Sequence, residues 1–137
     1  MNNFIKELFK VESIEHSKLE TLEETLEIIE DDYLEKLTES YEIDVSIIRN
    51  EKIRRLNSKI KEDFKSNLMN FTSEEHKSFN EFYNGIVDYS DENVYVNLKK
   101  FTALGIIFLF TTNGGKLYIF KIPDELCEIY EELIRTS

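Results

Sequence analysis

Few residue types in this chain are spaced for chemistry. His16 and His76 lie in separate segments, and neither belongs to a His-x-x-x-His pair that could present two nitrogens to one zinc ion. Asp31, Asp32 and Glu35 fall within one helical turn and offer the oxygen ligands a divalent cation prefers. Three such acids read first as a solvated helix face. Cys127 sits close to Glu125 and Glu128, whose charges disfavour the thiolate, and no base lies near it in sequence. Asn113-Gly114-Gly115 is not a phosphate cradle, because neither Gly-x-Gly-x-x-Gly nor Gly-Lys-Ser/Thr occurs. No carboxylate pair stands out among the 28 acids. The expectation is a non-enzymatic chain with no metal site and no cofactor.

Charge is the next feature with functional content. Residues 1–44 carry 4 basic and 14 acidic side chains, residues 45–65 carry 7 and 3, and residues 66–137 carry 6 and 11. The total of −11 repels nucleic-acid phosphate at long range. The opposing patch is the stretch Arg49, Lys52, Arg54, Arg55 and Lys59, continued by Lys61 and Lys65. On a helical wheel Arg54, Lys61 and Lys65 fall on one flank of an apolar stripe, with Lys52, Arg55 and Lys59 on the other. Cations split in this way suit pairing with the acidic first segment better than entry into a DNA groove. Duplex DNA is therefore an unfavoured partner.

These residues must be positioned by a small core. With 137 residues, 41% of them hydrophobic and 12% aromatic, the chain can bury a core without staples. The longest apolar run, Leu104 to Phe110 with Gly105 inside it, is far short of the roughly 20 residues of a membrane span. No basic start or long apolar stretch marks a secretory signal at Met1–Glu7, and the single cysteine fits a reducing compartment, so a cytoplasmic location is expected. One alanine, no tryptophan and no glutamine, against many Ile, Asn, Lys and Glu, is the usage of an AT-rich bacterial or phage genome.

No glycine or proline precedes Gly85, so the first 84 residues read as helices joined by polar turns. Phe4, Ile5, Leu8 and Phe9 make one face of a short helix. Leu19, Leu22, Leu26 and Ile29 recur at helical spacing, with Ser17 and Glu20 as a capping box, and Tyr33, Leu34, Leu37 and Tyr41 follow after a bend near Asp31-Asp32. Asp44-Val45-Ser46 is a turn before a helix with Ile53, Leu56, Ile60, Phe64 and Leu68 inward. Thr72 and Glu75 form a second capping box, and Asn84-Gly85 stops that helix. Ile86-Val87 reads as an extended bridge. Ser90-Asp91 opens a helix with Val94, Leu98, Phe101 and Leu104 inward. Strands over 106–110 and 117–120 flank the Asn113-Gly114 turn, and Pro123 begins the last helix.

The hairpin is apolar on both faces. Ile106, Phe108 and Phe110 point one way, Ile107 and Leu109 the other, and Leu117 to Phe120 repeat the situation. Something must cover the second face: the N-terminal helices, a second copy of the chain, or a protein partner. Phe108, Phe110, Tyr118 and Phe120 are the candidate partner-binding residues.

The residues from Asn70 to Ile134 resemble a winged-helix-type module, similar to those of uncharacterised Firmicutes proteins. The resemblance is carried by Leu104-Gly105-Ile106-Ile107-Phe108, by Asn113-Gly114-Gly115 and by Ile122-Pro123-Asp124-Glu125. Tyr41 to Val45 leading into Lys52 to Leu56 is similar to the helical segment of the transcription terminator Rho N-terminal domain or a SAP motif. A DNA-reading winged helix implies a recognition helix, for which Asn97, Lys99 and Lys100 are the outward candidates here, with Lys116 and Lys121 on the wing. The expected fold is mostly α with a β-hairpin, an α+β arrangement. Residues 1–69 form an acidic helical segment with a basic last helix, packed on a winged-helix-like 70–137 around one shared core. The expected function is a protein-binding adaptor or inhibitor. The alternative is a transcription-regulator-like DNA binder using Arg49, Lys52, Arg54, Arg55, Lys59, Lys99, Lys100 and Lys116.

Overall fold

A computed structural model describes residues 11–136; the first predicted helix, with Phe4, Ile5, Leu8 and Phe9, lies outside the described residues. The chain is mostly helical with one small sheet, an α+β fold. Its elements are β1 (Ser13–Glu15), α1 (Leu22–Ile28), α2 (Asp31–Ser40), α3 (Arg49–Met69), α4 (Ser73–Asn84), α5 (Glu92–Ala103), β2 (Phe108–Thr112), β3 (Leu117–Lys121) and α6 (Asp124–Thr136). No helix among the described residues is long and apolar enough to cross a membrane.

Local chemistry sets most boundaries. The first capping box is Thr21 with Glu24, not Ser17 with Glu20, so α1 starts later than the sequence suggested. Thr21 satisfies the same pattern, and its placement lets Leu22 enter the core while the Leu22 N–H reaches the Glu125 carboxylate at 3.2 Å. The bend at Asp31-Asp32 is a full break: Ile29 and Glu30 are both extended, and α2 begins at Asp31. Asp44 accepts hydrogen bonds from the Ser46 N–H and hydroxyl, a turn that precedes α3. The Thr72–Glu75 capping box opens α4, left-handed Gly85 ends it, and Asp91 caps α5.

Gly105 ends the α5 turn at φ +68, where a side chain is strained. A Cβ there would also lie 3.0 Å from Ile60 Cδ1 and 3.2 Å from Leu37 Cδ2. The bare backbone thus lets α2, α3 and the start of β2 converge.

The sheet differs from the sequence reading in one strand. Ile86-Val87 does not pair, and Ile86 is exposed. The third strand is β1, which pairs parallel to β2 with Ser13 opposite Leu109, Ile14 opposite Phe110 and Glu15 opposite Thr111. β3 pairs antiparallel on the other side, giving the order β1-β2-β3.

One core runs through both halves of the chain, from Val11 and Ile14 through Leu26, Leu37, Leu56 and Phe64 to Phe79, Phe101, Phe108 and Tyr130. The inward stripe of α3, Ile53, Leu56, Ile60, Phe64 and Leu68, is buried as its spacing predicted. The described part of the acidic head is docked: Leu22, Leu26 and Ile29 are buried, and Leu19 packs partly against the core. Two tyrosines fasten it, Tyr33 of α2 and Tyr41 just after its end. Tyr33 donates its hydroxyl proton to the Thr102 carbonyl at 2.7 Å, and Tyr41 donates to the Leu104 carbonyl at 2.5 Å. The Tyr41 bond gives the Leu104 carbonyl at the end of α5 a partner, and the Tyr33 bond adds to the one that the Thr102 carbonyl accepts from the Gly105 N–H. Burial pushes both phenols well above their usual pKa, so they remain donors.

Candidate functional site

The basic stretch is positioned by α3, and the structure neutralises most of it. Arg49 reaches back to the α1–α2 break, donating to Asp31 Oδ1 at 2.5 Å and to the carbonyls of Glu27 and Ile29 at 3.2 and 2.6 Å. Arg54 and Arg55 both donate to Glu51 one turn earlier. That pair of guanidiniums, Arg54 first, pulls the Glu51 carboxyl down to about 2. Lys59 pairs with Asp63 at 3.5 Å. Among the described residues, Arg49 alone of this stretch pairs with the acidic first segment, the pairing the sequence suggests for the whole stretch; Arg54, Arg55 and Lys59 pair within α3.

The second group of cations divides in the same way. Lys100 is bound to Glu75 at 2.8 Å and lies over the Phe71 ring, 5.3 Å from its centroid. Lys99 and Lys116 are exposed, and with Lys52 they make no salt bridge among the described residues. Asn97, expected to face outward from α5, is buried instead and donates from Nδ2 to Ser78 Oγ at 2.7 Å. It joins α5 to α4. A hollow between residues 41–44 and α3 mixes Arg54, Arg55 and Lys59 with Glu42, Asp44 and Glu62, so no single-sign field gathers there.

Of the residues weighed for small-molecule chemistry, Asp31, Asp32, Glu35 and both histidines lie on the surface. Asp31 is held by Arg49. No group of three or more His, Cys, Asp or Glu among the described residues is placed to hold a metal ion. The Cys127 thiol is raised chiefly by burial, with the neighbouring carboxylates adding less, and its Sγ lies 3.4 Å from the Ile122 carbonyl.

The hairpin leaves apolar surface uncovered along β3, as Ile48, Met69, Ile86 and Val96 do elsewhere on the chain. All of Phe108, Leu109 and Phe110 are buried, with Tyr33 of the acidic head 6.1 Å from Phe108, ring to ring. Phe108 and Phe110 thus present no surface to a partner, which corrects their place among the partner-binding candidates. Phe120 is half-buried, with Phe82 edge-on at 5.2 Å and Tyr89 stacked at 6.1 Å. Exposure begins at the tip side of β3, where Leu117 is 62%, Tyr118 39% and Ile119 45% exposed. Leu117 and Ile119 share one sheet face, and Tyr118 points to the other. Alternation in the sequence could place these residues on faces. It could not show which strand would be outermost, and that is what exposes Leu117 and Ile119.

Compared with protein-family models, curated proteins and solved structures, the chain finds no match in any of the three.

Proposed function

We propose that this chain is a non-enzymatic protein-binding module, an adaptor or inhibitor, that engages its partner through the β3 side of the hairpin. The observation that carries the reading is the exposure of Leu117, Tyr118 and Ile119 on one five-residue strand. The rest of the sheet has its apolar residues covered. On this reading residues 70–137 act as a winged-helix-like scaffold that presents its hairpin to a protein. Pairing of Arg49, Arg54, Arg55, Lys59 and Lys100 with the chain's own acids weighs against the DNA-binding alternative.

Two measurements test the reading together. A photo-crosslinking amino acid at Leu117, introduced in the source cell, should give a discrete protein adduct, and the same group at exposed Val96 on α5 should not. A 20-base-pair duplex should bind no tighter than about 10⁻⁶ M at physiological salt, the range of nonspecific association. Sub-micromolar duplex binding, or no protein adduct from Leu117, would overturn the proposal.

A further inference from the structure

We propose that Asn113, at the tip of the hairpin, is a site of spontaneous covalent change, in which its side-chain amide loses ammonia through a cyclic imide and becomes a carboxylate. The inference is independent of the protein-binding reading. Asparagine is open to this chemistry where glycine follows it, because no side chain shields the next backbone nitrogen. Two Asn-Gly pairs occur in the chain, Asn84-Gly85 and Asn113-Gly114, and all four residues are exposed. Exposure therefore does not separate the two pairs. Hydrogen bonding at the attacking nitrogen does.

The nucleophile is the backbone nitrogen of the glycine. At the end of α4 the Gly85 N–H is bonded to the carbonyls of Glu81 and Phe82, and the Ile86 N–H returns to Glu81 at 3.0 Å. Asn84 is itself the last residue of α4. For Gly85 to attack, these bonds must break and Asn84 must leave the helical conformation. In the hairpin turn the bonds bypass Gly114. The Gly115 N–H donates to Thr112 at 3.2 Å, and the Lys116 N–H donates to Asn113 at 3.3 Å. The Gly114 N–H makes no hydrogen bond among the described residues. Asn113 stands at φ +56, in the left-handed region that is uncommon outside glycine. A Cβ on Gly114 or Gly115 would meet nothing within 4 Å, so the turn has space in which to rearrange around that nitrogen.

The reaction needs water and nothing else. Hydroxide from solvent takes the Gly114 amide proton, and the nitrogen attacks Cγ of Asn113. The new N–Cγ bond closes a five-membered imide. The Cγ–Nδ2 bond breaks, and Nδ2 leaves as ammonia with a proton from water. Water then adds to either imide carbonyl, and no electron is transferred. Opening at one C–N bond restores the ordinary peptide with an aspartate side chain. Opening at the other carries the main chain through Cγ and leaves the former Asn113 carbonyl as a free carboxylate, an isoaspartate. Either product places a negative charge beside exposed Lys116. The isoaspartate also lengthens the main chain and takes out of it the carbonyl that accepts from the Lys116 N–H, a bond that closes the turn.

The test keeps the full chain in mildly alkaline buffer at physiological temperature and maps its peptides by mass spectrometry, with fragmentation that separates aspartate from isoaspartate. In the folded chain Asn113 should convert at least about tenfold faster than Asn84. In urea the bonds that hold back Gly85 are gone, and the two rates should come within about threefold of each other. Asn113→Gln, whose longer side chain cannot close the five-membered ring, should remove the fast mass gain of the intact folded chain, and Asn84→Gln should leave it in place. Equal or slower conversion of Asn113 than of Asn84 in the folded chain would overturn the proposal, as would a fast mass gain that survives Asn113→Gln. So would an Asn113 that converts in urea and not in the folded chain, because the turn would then be protecting it. A gap that persists unchanged in urea would place its cause in the neighbouring sequence and not in the turn, and would overturn it too.

Discussion

Strand β2 carries Phe108, Leu109 and Phe110, and β3 carries Leu117, Tyr118, Ile119 and Phe120. The two are joined by one turn and share a register, with Phe110 directly opposite Ile119. Yet Phe110 is buried and Ile119 is nearly half exposed. Both lie on the same face of the sheet, so side-chain alternation does not separate them. Position in the sheet does. Phe110 is flanked by Ile14 of β1 on one side and Ile119 on the other, whereas Ile119 has a strand neighbour among the described residues on one side alone. A central strand is closed on both edges and, here, on both faces. An edge strand of the same composition is left half open, and that half is the surface on which the proposed function rests.

The first way to break this comparison is to delete a ring from the central strand. Phe108 is fully buried against Tyr33 and the close approach at Gly105. Phe108→Ala should cost about 3–5 kcal/mol in urea unfolding, from lost transfer energy plus a cavity that the packed surroundings fill only in part. A loss under about 1 kcal/mol would mean that β2 is no more a core strand than β3.

What the sequence made legible follows from the length of each signal. The α3 stripe, the Thr72–Glu75 box and the Asn113-Gly114 turn each rest on several residues at fixed spacing, and each appears where that spacing put it. Ser13-Ile14-Glu15 is three residues with one apolar side chain, which is too short for a period-two pattern to show. It becomes a strand because β2 offers an edge, a tertiary cause invisible to local propensity. With no visible strand on the far side of β2, the sequence makes Phe108 and Phe110 as available as Tyr118, and the structure buries them. Asn97 is illegible for a related reason, since its partner Ser78 lies on a separate helix.

A milder perturbation acts on the helix that helps cover the sheet. Phe79 and Phe82 of α4 pack against Phe101 and Phe120, so loosening α4 should loosen the covered side and spare the tip of β3. Thr72→Ala removes the cap and should cost about 0.5–2 kcal/mol by urea unfolding. The same box has a pH signature. Lys100 first, and then the Thr72 N–H, hold the Glu75 carboxyl below its ordinary 4.5. A carboxyl depressed in the folded state stabilises above its unfolded pKa, and that stability is lost as pH falls through the folded value. Urea midpoints measured downward from pH 4.5 should therefore fall less steeply in Glu75→Gln than in the parent. An unchanged slope would place the acid sensitivity elsewhere.

The smallest expected effect sharpens the comparison most. Ile119→Thr keeps the β-branched shape and strand propensity of the residue and removes apolar surface that already meets water. Nothing buried is vacated, and the new hydroxyl stays hydrated, so neither a cavity nor an unsatisfied polar group arises. Stability should change by no more than about 0.5 kcal/mol, the range of surface substitutions away from caps and cores. Ile14→Thr, in the same cross-strand row but buried, places a hydroxyl in the core and should cost more. Urea unfolding of the two variants reads the difference between the closed and open ends of one row of side chains. Equal losses would show that Ile119 is covered in the free protein, and the exposed strand would then have no apolar surface to offer a partner.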